Sequence, residues 1–344
     1  DKAGDTMHQF ELREEPLDVI FSPAMESNRF VLSINVNGKY LALFDSNGDK
    51  LEEMFFREDG CRVVCHCWID ECTLLVGTDE GMVYTVHCHP NEPTKQQICS
   101  RVFTASLAHM CLCSAHAIAA AGDCGVVQLF NFQNGALDMI GEGWDVGDDI
   151  ETLSWCNEAQ ALTVCSKNGS VIGFTDSGSK KGDFLCSNAI LHAHFKSNLA
   201  YTASDKEVLV VDTKTLKPIN SFETHRDLVV SLALTRSFVA IATTKSIVQV
   251  YSMKNAGPKS VFAEYQLSEK IRDVAINESF VAILMENGML DLRSILPDDG
   301  QQIRAPFHKC LSESNIDEKD REITCMSLSE NFLVFVGGCN MYFF

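Results

Sequence analysis

The sequence predicts an all-β fold made of one hairpin-containing unit repeated many times, and three observations carry that prediction. The stretch AIAAAGDCGVVQLFNF, residues 117–132, sets two apolar runs on either side of a Gly-Asp-Cys-Gly turn, the pattern of a β-hairpin. The pattern returns at 74–86 (LLVGTDEGMVYTV), 162–174 (LTVCSKNGSVIGF), 200–211 (AYTASDKEVLVV) and 281–292 (VAILMENGMLDL). Turn dipeptides at Asn37-Gly38, Glu80-Gly81, Cys124-Gly125, Asn168-Gly169, Lys206-Glu207, Lys245-Ser246, Asn287-Gly288 and Cys339-Asn340 advance by 43, 44, 44, 38, 39, 42 and 52 residues. One hairpin cannot bury its own apolar face, so recurrence at this period means sheets stacked on one another. A step of about 40–45 residues is that of a four-stranded propeller blade. The predicted architecture is therefore a single β-propeller over 1–344 with eight blades, seven being the alternative; a sandwich or barrel would not carry eight units of similar internal order.

Taken in order, the units span approximately 17–56, 62–102, 107–140, 150–185, 190–222, 228–265, 271–307 and 323–344. Each opens on a short strand rich in small or β-branched residues (VVCHCW, LAHMCLC, IETLSW, VVSLAL, IRDVAI, ITCMSL), which suits a crowded central channel. Two stronger apolar strands follow, then a weaker amphipathic fourth. The last unit is one strand short, while MHQFEL at 7–12 is a spare strand at the other end. Using it as the missing fourth strand of the eighth blade would close the ring and remove exposed sheet edges.

Hydrophobic residues make up 46% of the chain and charged residues 22%, ordinary values for a protein that buries a large core. The net charge of −19 opposes general binding to nucleic-acid backbones or anionic membranes, and a protein partner with basic patches fits it better. Fifteen cysteines fall mostly inside apolar strand runs (Cys65, Cys67, Cys111, Cys113, Cys165, Cys325), as reduced core residues do. No apolar run reaches the length of about 18 residues needed to span a bilayer as a helix. The expectation is a soluble protein without membrane insertion, inside the cell in the cytoplasm or nucleus, its sequons at Asn168 and Asn277 unused.

With these residues in view, the units resemble degenerate WD-repeats. Thr224-His225 before VVSLAL stands in the place of that family's Gly-His pair, and acidic turns occur at Asp79, Asp123 and Asp205. No third strand ends in Trp-Asp; the nearest equivalents are Phe44-Asp45, Phe174-Thr175-Asp176 and Val211-Asp212. The sixth unit has Thr244 and Lys245 where an acid is expected, so the family's buried His to Asp network is not implied for any blade. IRDVAINESFVAILMENGMLDLRSIL and REITCMSLSENFLVFVGGCNMYFF, in the last quarter, resemble propellers of intraflagellar-transport and coatomer-type scaffold subunits. The resemblance implies a rigid platform for protein assembly, in a transport or ciliary complex, with no chemistry of its own.

Candidate chemistry is sparse. Cys61, Cys65, Cys67 and Cys72 surround His66, but they lack the Cys-x-x-Cys knuckle of a structural zinc site. The pairs His87/His89 and His192/His194 each share a strand face without a carboxylate nearby in sequence. Gly141 to Gly147 is one residue too long for a dinucleotide fingerprint and runs into a strand, so no helix N-terminus receives a pyrophosphate. There is no nucleophile elbow, Walker loop or zincin motif. These readings predict no catalytic, cofactor or metal residues. An enzyme or small-ligand propeller using the central channel is the rival class.

The expected function is a non-catalytic scaffold in an intracellular multiprotein complex. Inter-blade loops and the turns between second and third strands emerge at one end of a propeller, and here they gather acids: Glu58, Asp59, Asp79, Glu80, Asp123, Asp145, Asp148, Asp149, Asp205 and Glu286, interrupted later by Arg226, Lys245 and Lys270. Trp144 lies among these acids in what reads as a loop from Glu142 to Asp149. It is placed either over a neighbouring blade or towards a partner as an aromatic anchor. The partner-binding candidates are accordingly Trp144, Asp145, Asp148, Asp149, Asp79, Glu80 and Asp123. A second departure from the repeat is the polar insertion from Pro297 to Glu322.

Overall fold

The computed structural model describes residues 9–343 except 13, 15, 24–29, 57–60, 90–91, 115–116, 148, 158–159, 176, 197–198, 206, 225–226, 236, 254–260, 296–322, 329–332 and 338–339. Every regular element among the described residues is a β-strand. The strands form consecutive antiparallel sheets at 16–55 (sheet 1), 63–101 (sheet 2), 107–145 (sheet 3), 150–185 (sheet 4), 192–223 (sheet 5) and 229–266 (sheet 6), each with four strands in sequence order. Sheet 7, at 271–294, has three strands among the described residues. In sheet 8 the strands Ile323–Leu328, Leu333–Gly337 and Asn340–Phe343 are joined by Gln9–Glu11 from the other end of the chain. Gln9 pairs with Tyr342, Phe10 with Met341 and Glu11 with Asn340, antiparallel. Met7 and His8 of the expected spare strand, and the expected insertion at 297–322, lie outside the described residues.

The alternation of the middle strands explains why these sheets stack. In the strand Tyr40–Asp45, Leu41 and Leu43 join sheet 2 residues such as Val63, Trp68 and Leu74, while Tyr40, Ala42 and Phe44 join Leu12 on the opposite side. A period of two places successive side chains on opposite faces, so a strand apolar at every position is one buried on both. Val31–Val36, Ala161–Ser166 and Phe238–Thr243 are buried along their whole length. The core is accordingly divided: hydrophobic clusters occupy the seams between successive sheets from 1 through 8, and a further one holds Leu12 against sheet 1. From sheet 2 through sheet 8 the first strands of successive sheets stand side by side, and Ile323–Leu328 packs against both Ile271–Ile276 and Pro16–Phe21. Among the described residues no helix is long and apolar enough to cross a membrane.

A recurrent irregularity marks the entry to the inner strands. In sheets 1, 2, 3, 4, 6, 7 and 8 the register against the second strand slips by one residue, at Leu17, Val64, Ala108, Glu151, Val230, Arg272 and Thr324. A bulge of this kind leaves its extra residue outside the ladder and increases local twist. Leu17 and Val64 are consequently exposed, 56% and 37%.

Candidate interaction surface

The turn between second and third strands organises the surface, because it binds both the entry and the exit of its own sheet. In sheet 2 the Asp79 N–H donates to the Arg62 carbonyl at 2.9 Å, and the Val102 N–H donates to the Gly81 carbonyl at 2.8 Å. The same pairs recur as Asp123 to Ser106 and Val146 to Gly125, Lys167 to Asp149 and Cys186 to Gly169, and Thr244 to Leu228 and Leu267 to Ser246. The turn needs a left-handed residue: Gly81 has φ +72°, and a Cβ there would sit 2.2 Å from the Phe103 carbonyl oxygen. Inter-sheet connections and these turns therefore share one face.

Of the acids expected on that face, Asp79 is half-buried and accepts the Arg62 N–H at 2.7 Å. Glu80, Asp123, Asp145, Asp149, Asp205 and Glu286 are exposed. Asp145 accepts the Gly147 N–H at 2.8 Å, and Asp149 lies 3.6 Å from Lys167. Asp148, Glu58, Asp59 and Arg226 lie outside the described residues.

Trp144 is not in a loop, which corrects the sequence expectation. The outer strand of sheet 3 runs from Ala136 to Asp145, beyond the unit end expected at Ile140, and Trp144 pairs with Val127. Between that pair and Leu129–Ile140 the outer strand carries two extra residues, bulging at 141–143. Gly141 takes φ +67°, and the Gln128 amide fills the gap by donating to the Leu129 and Ile140 carbonyls at 2.8 and 3.0 Å. The bulge turns the half-buried indole onto Phe174 of sheet 4, centroids 4.3 Å apart and planes 17° apart, over Gly178. Apolar alternation alone does not reveal an insertion inside a strand; the Gly-x-Gly at 141–143 was the available signal.

The worn repeat signature has a physical substitute. Charge pairs join the sheet entry to the turn: Glu14–Lys39 at 2.6 Å, Asp227–Lys245 at 2.5 Å, Asp149–Lys167 at 3.6 Å and Lys270–Glu286 at 3.9 Å. The sense of the pair reverses in the last case. Asp45 and Asp212, nearest to the terminal Asp of that signature, cap their own following turns, accepting from Asn47 and Asp49 and from Lys214 and Thr215.

The sulfur and histidine candidates diverge. Cys61 donates to the Phe56 carbonyl and joins Cys72 in the seam with sheet 1, whereas Cys65 and Cys67 pack towards sheet 3. Burial pushes the Cys67 thiol up to about 12, well away from nucleophilic reactivity. His66 faces the other way, its Nδ1 3.9 Å from Asp18 Oδ2 and its side chain 0% exposed. Neither ring nitrogen has a hydrogen-bond partner, and burial holds the imidazole below its usual pKa against the pull of Asp18. His192 and His194 are likewise depressed by burial, and the carboxylate missing near them in sequence acts from sheet 7: Asp273, which accepts the Ser231 hydroxyl at 2.6 Å. Among the described residues no group of three or more His, Cys, Asp or Glu side chains is arranged to hold a metal ion. Asn277 is buried, its amide oxygen accepting the Ser279 and Phe280 N–H groups, so only Asn168 of the two sequons is exposed.

A family model describing the first β-propeller of WDR19 matches residues 1–169. The mouse WD repeat-containing protein 19 is 24% identical over 355 residues, covering 97% of this chain, and its human counterpart is also 24% identical over 97% of the chain. The chain is thus similar to the β-propellers of WDR19, which are of the WD-repeat kind. It spans about a quarter, 24%, of the length of these relatives. The family model covers residues 1–169, while the similarity to these relatives runs over nearly the whole chain, the last quarter included. Solved structures similar in fold include the computationally designed Ika8 (TM-score 0.71, 14% identity, 97% of this chain and 98% of that one). Another is Chaetomium thermophilum Sqt1 bound to the N-terminus of ribosomal protein L10 (TM-score 0.70, 11% identity, 99% of each chain). The WDR19-like chain shares only its fold with these two.

Proposed function

We propose that this WDR19-like propeller is a non-catalytic scaffold within an intracellular multiprotein complex of the transport or ciliary kind. The reading takes it as eight blades closed by the N-terminal strand. Support for closure comes from the pairing of Gln9–Glu11 with Asn340–Phe343 and the packing of Ile323–Leu328 against Pro16–Phe21. Support for a scaffold role comes from the relatives and from a sequence with no catalytic motif.

The observation that carries the proposal is the shared face on which inter-sheet connections and turns meet, bearing Glu80, Asp123, Asp145 and Asp149 exposed in a chain of net charge −19. Its partner is a protein segment with a basic patch. Charge there mainly raises the association rate and selects partners. Sqt1, of the same fold, holds the terminus of another protein, a precedent for polypeptide capture on this shape. Asp79 and Asp148 belong to the same proposed surface, with the exposed edge of Trp144 as its aromatic contact.

The experiment is affinity capture from native extract with the wild type, a Glu80→Lys/Asp123→Lys variant, an Asp148→Lys/Asp149→Lys variant and Trp144→Ala, each checked for folding. Loss of the same partner from the charge-reversed variants is expected. Retention of every partner by all of them would move the interface elsewhere. Metal analysis of the purified protein separates the rival class, since a channel enzyme without a sequence motif would be expected to carry a bound metal.

A further inference from the structure

Sheets 1 and 2 meet at the inner strands in an unusual way. Of all consecutive inner strands among the described residues, Pro16–Phe21 and Val63–Trp68 are the least closely apposed, although the seam is well packed further out. Side chains bridge the gap there: Trp68 Nε1 donates to Ser33 Oγ at 3.0 Å, and the Asn35 amide donates to the Val63 carbonyl at 3.3 Å. Both strands bulge at their entry, leaving Leu17 and Val64 exposed. Asp18 follows Leu17 in the same strand, its side chain 53% exposed. Asp18 Oδ1 accepts the Val19 N–H at 2.8 Å, which leaves Oδ2 directed at His66 Nδ1, too far at 3.9 Å for a hydrogen bond. The ring is fully buried and neither nitrogen has a partner in full hydrogen-bonding geometry, although the Ser33 main chain favours its protonated form. Buried polar groups are nearly always satisfied, and the bare nitrogen of a neutral imidazole in this state calls for a donor.

We propose that this notch receives an arginine side chain from a protein partner. The aliphatic stem lies on Leu17 and Val64, and the guanidinium donates one N–H to Asp18 Oδ2 and another to His66 Nδ1 as the side chains covering the ring part. A guanidinium presents several N–H donors in a fixed fork, which suits two acceptors about 4 Å apart better than the single point of an ammonium. The stem-on-apolar, head-on-carboxylate arrangement is the usual one for long basic side chains. Arg62, at the entry of the same sheet 2 strand as His66, is committed elsewhere, its Cβ and Nε lying over Gly38. This inference deepens the proposed scaffold role by naming one residue type its partner must present.

The test uses the whole chain and a small probe, so that it reads the notch whether or not any partner is captured from extract. Nα-acetyl-arginine N-methylamide is titrated into isotopically labelled protein, following the His66 ring nitrogens and the Leu17 and Val64 methyl groups by NMR. A saturable shift at all three is expected, with the citrulline analogue giving none, the lysine analogue binding more weakly, and Asp18→Asn weakening the arginine response about tenfold. Asp18 is largely exposed, and a parallel Leu17→Ser variant guards against loss of folding in either one. Equal responses to arginine and citrulline, equal responses to arginine and lysine, or an arginine response untouched by Asp18→Asn would each overturn the proposal.

Discussion

The Trp144 indole stacks on the Phe174 ring at a centroid distance of 4.3 Å, tying the outer strand of sheet 3 to the third strand of sheet 4. The contact exists because a two-residue bulge re-aims the strand, and Gly178 has no Cβ to obstruct it: one placed there would lie 2.5 Å from the indole. Trp144→Ala should destabilise the protein by about 2 kcal/mol, less than for a fully buried Trp because the ring is only half covered. Gly178→Ala should be costly in the wild type and less so in the Trp144→Ala background, with a coupling of about 1 kcal/mol. Urea unfolding of the four proteins measures this; strict additivity would remove the clamp.

The N-terminal strand is expected to stabilise the whole chain through closure. Leu12, 4% exposed, packs with Leu32, Ile34 and Val36 of sheet 1 immediately after the strand that pairs with Asn340–Phe343. Leu12→Ala should cost about 2–3 kcal/mol. Deleting residues 1–12 should lower the melting temperature by several degrees or cause aggregation, since it uncovers a sheet edge. An unchanged melt after the deletion would count against ring closure by this strand.

Stability should fall as the solution is made acidic, from about pH 6.5 downwards. Burial lowers the imidazole pKa of His66, His109, His192 and His194, so the unfolded chain takes up protons in a window where the folded chain does not. With more protons bound to the unfolded state, stability rises with pH across that window and is lost as pH decreases through it. Glu151 opposes the trend further down, because burial raises its pKa and favours the protonated folded form. Denaturation midpoints at pH 7, 6 and 5 check this; a flat profile would mean that the buried rings are solvated.

Among the twelve described cysteines, thiol reactivity should be concentrated at one position. The twelve described cysteines are free, and of these only Cys124, in the turn of sheet 3, is exposed. Burial raises the pKa of Cys65, Cys67, Cys88 and Cys165 and keeps them protonated. Native protein should show a fast labelling phase that Cys124→Ser removes, and denatured protein should titrate nearly all fifteen thiols. A large shortfall in denaturant would reveal disulfides.

The sequence by itself determined that the chain is all-β and built from repeated hairpins, because a strand buried on both faces is predominantly apolar and a tight turn favours a residue tolerant of positive φ. Val31–Val36, Ala161–Ser166 and Gly81 wrote those requirements directly into the sequence. It also located the acids Asp79, Glu80, Asp123, Asp145 and Asp149, since turn positions follow from the repeat. Tertiary structure alone decided what these side chains meet. Trp144 reads as a loop residue until the bulge at 141–143 is seen, and a register insertion leaves no periodic trace. Asp18 and His66, 48 positions apart, and Asp273 with His192 and His194, come together only when separate sheets are stacked. Local pattern sets which way a side chain points within its own sheet; its partner across the seam depends on how neighbouring sheets twist and slide against each other.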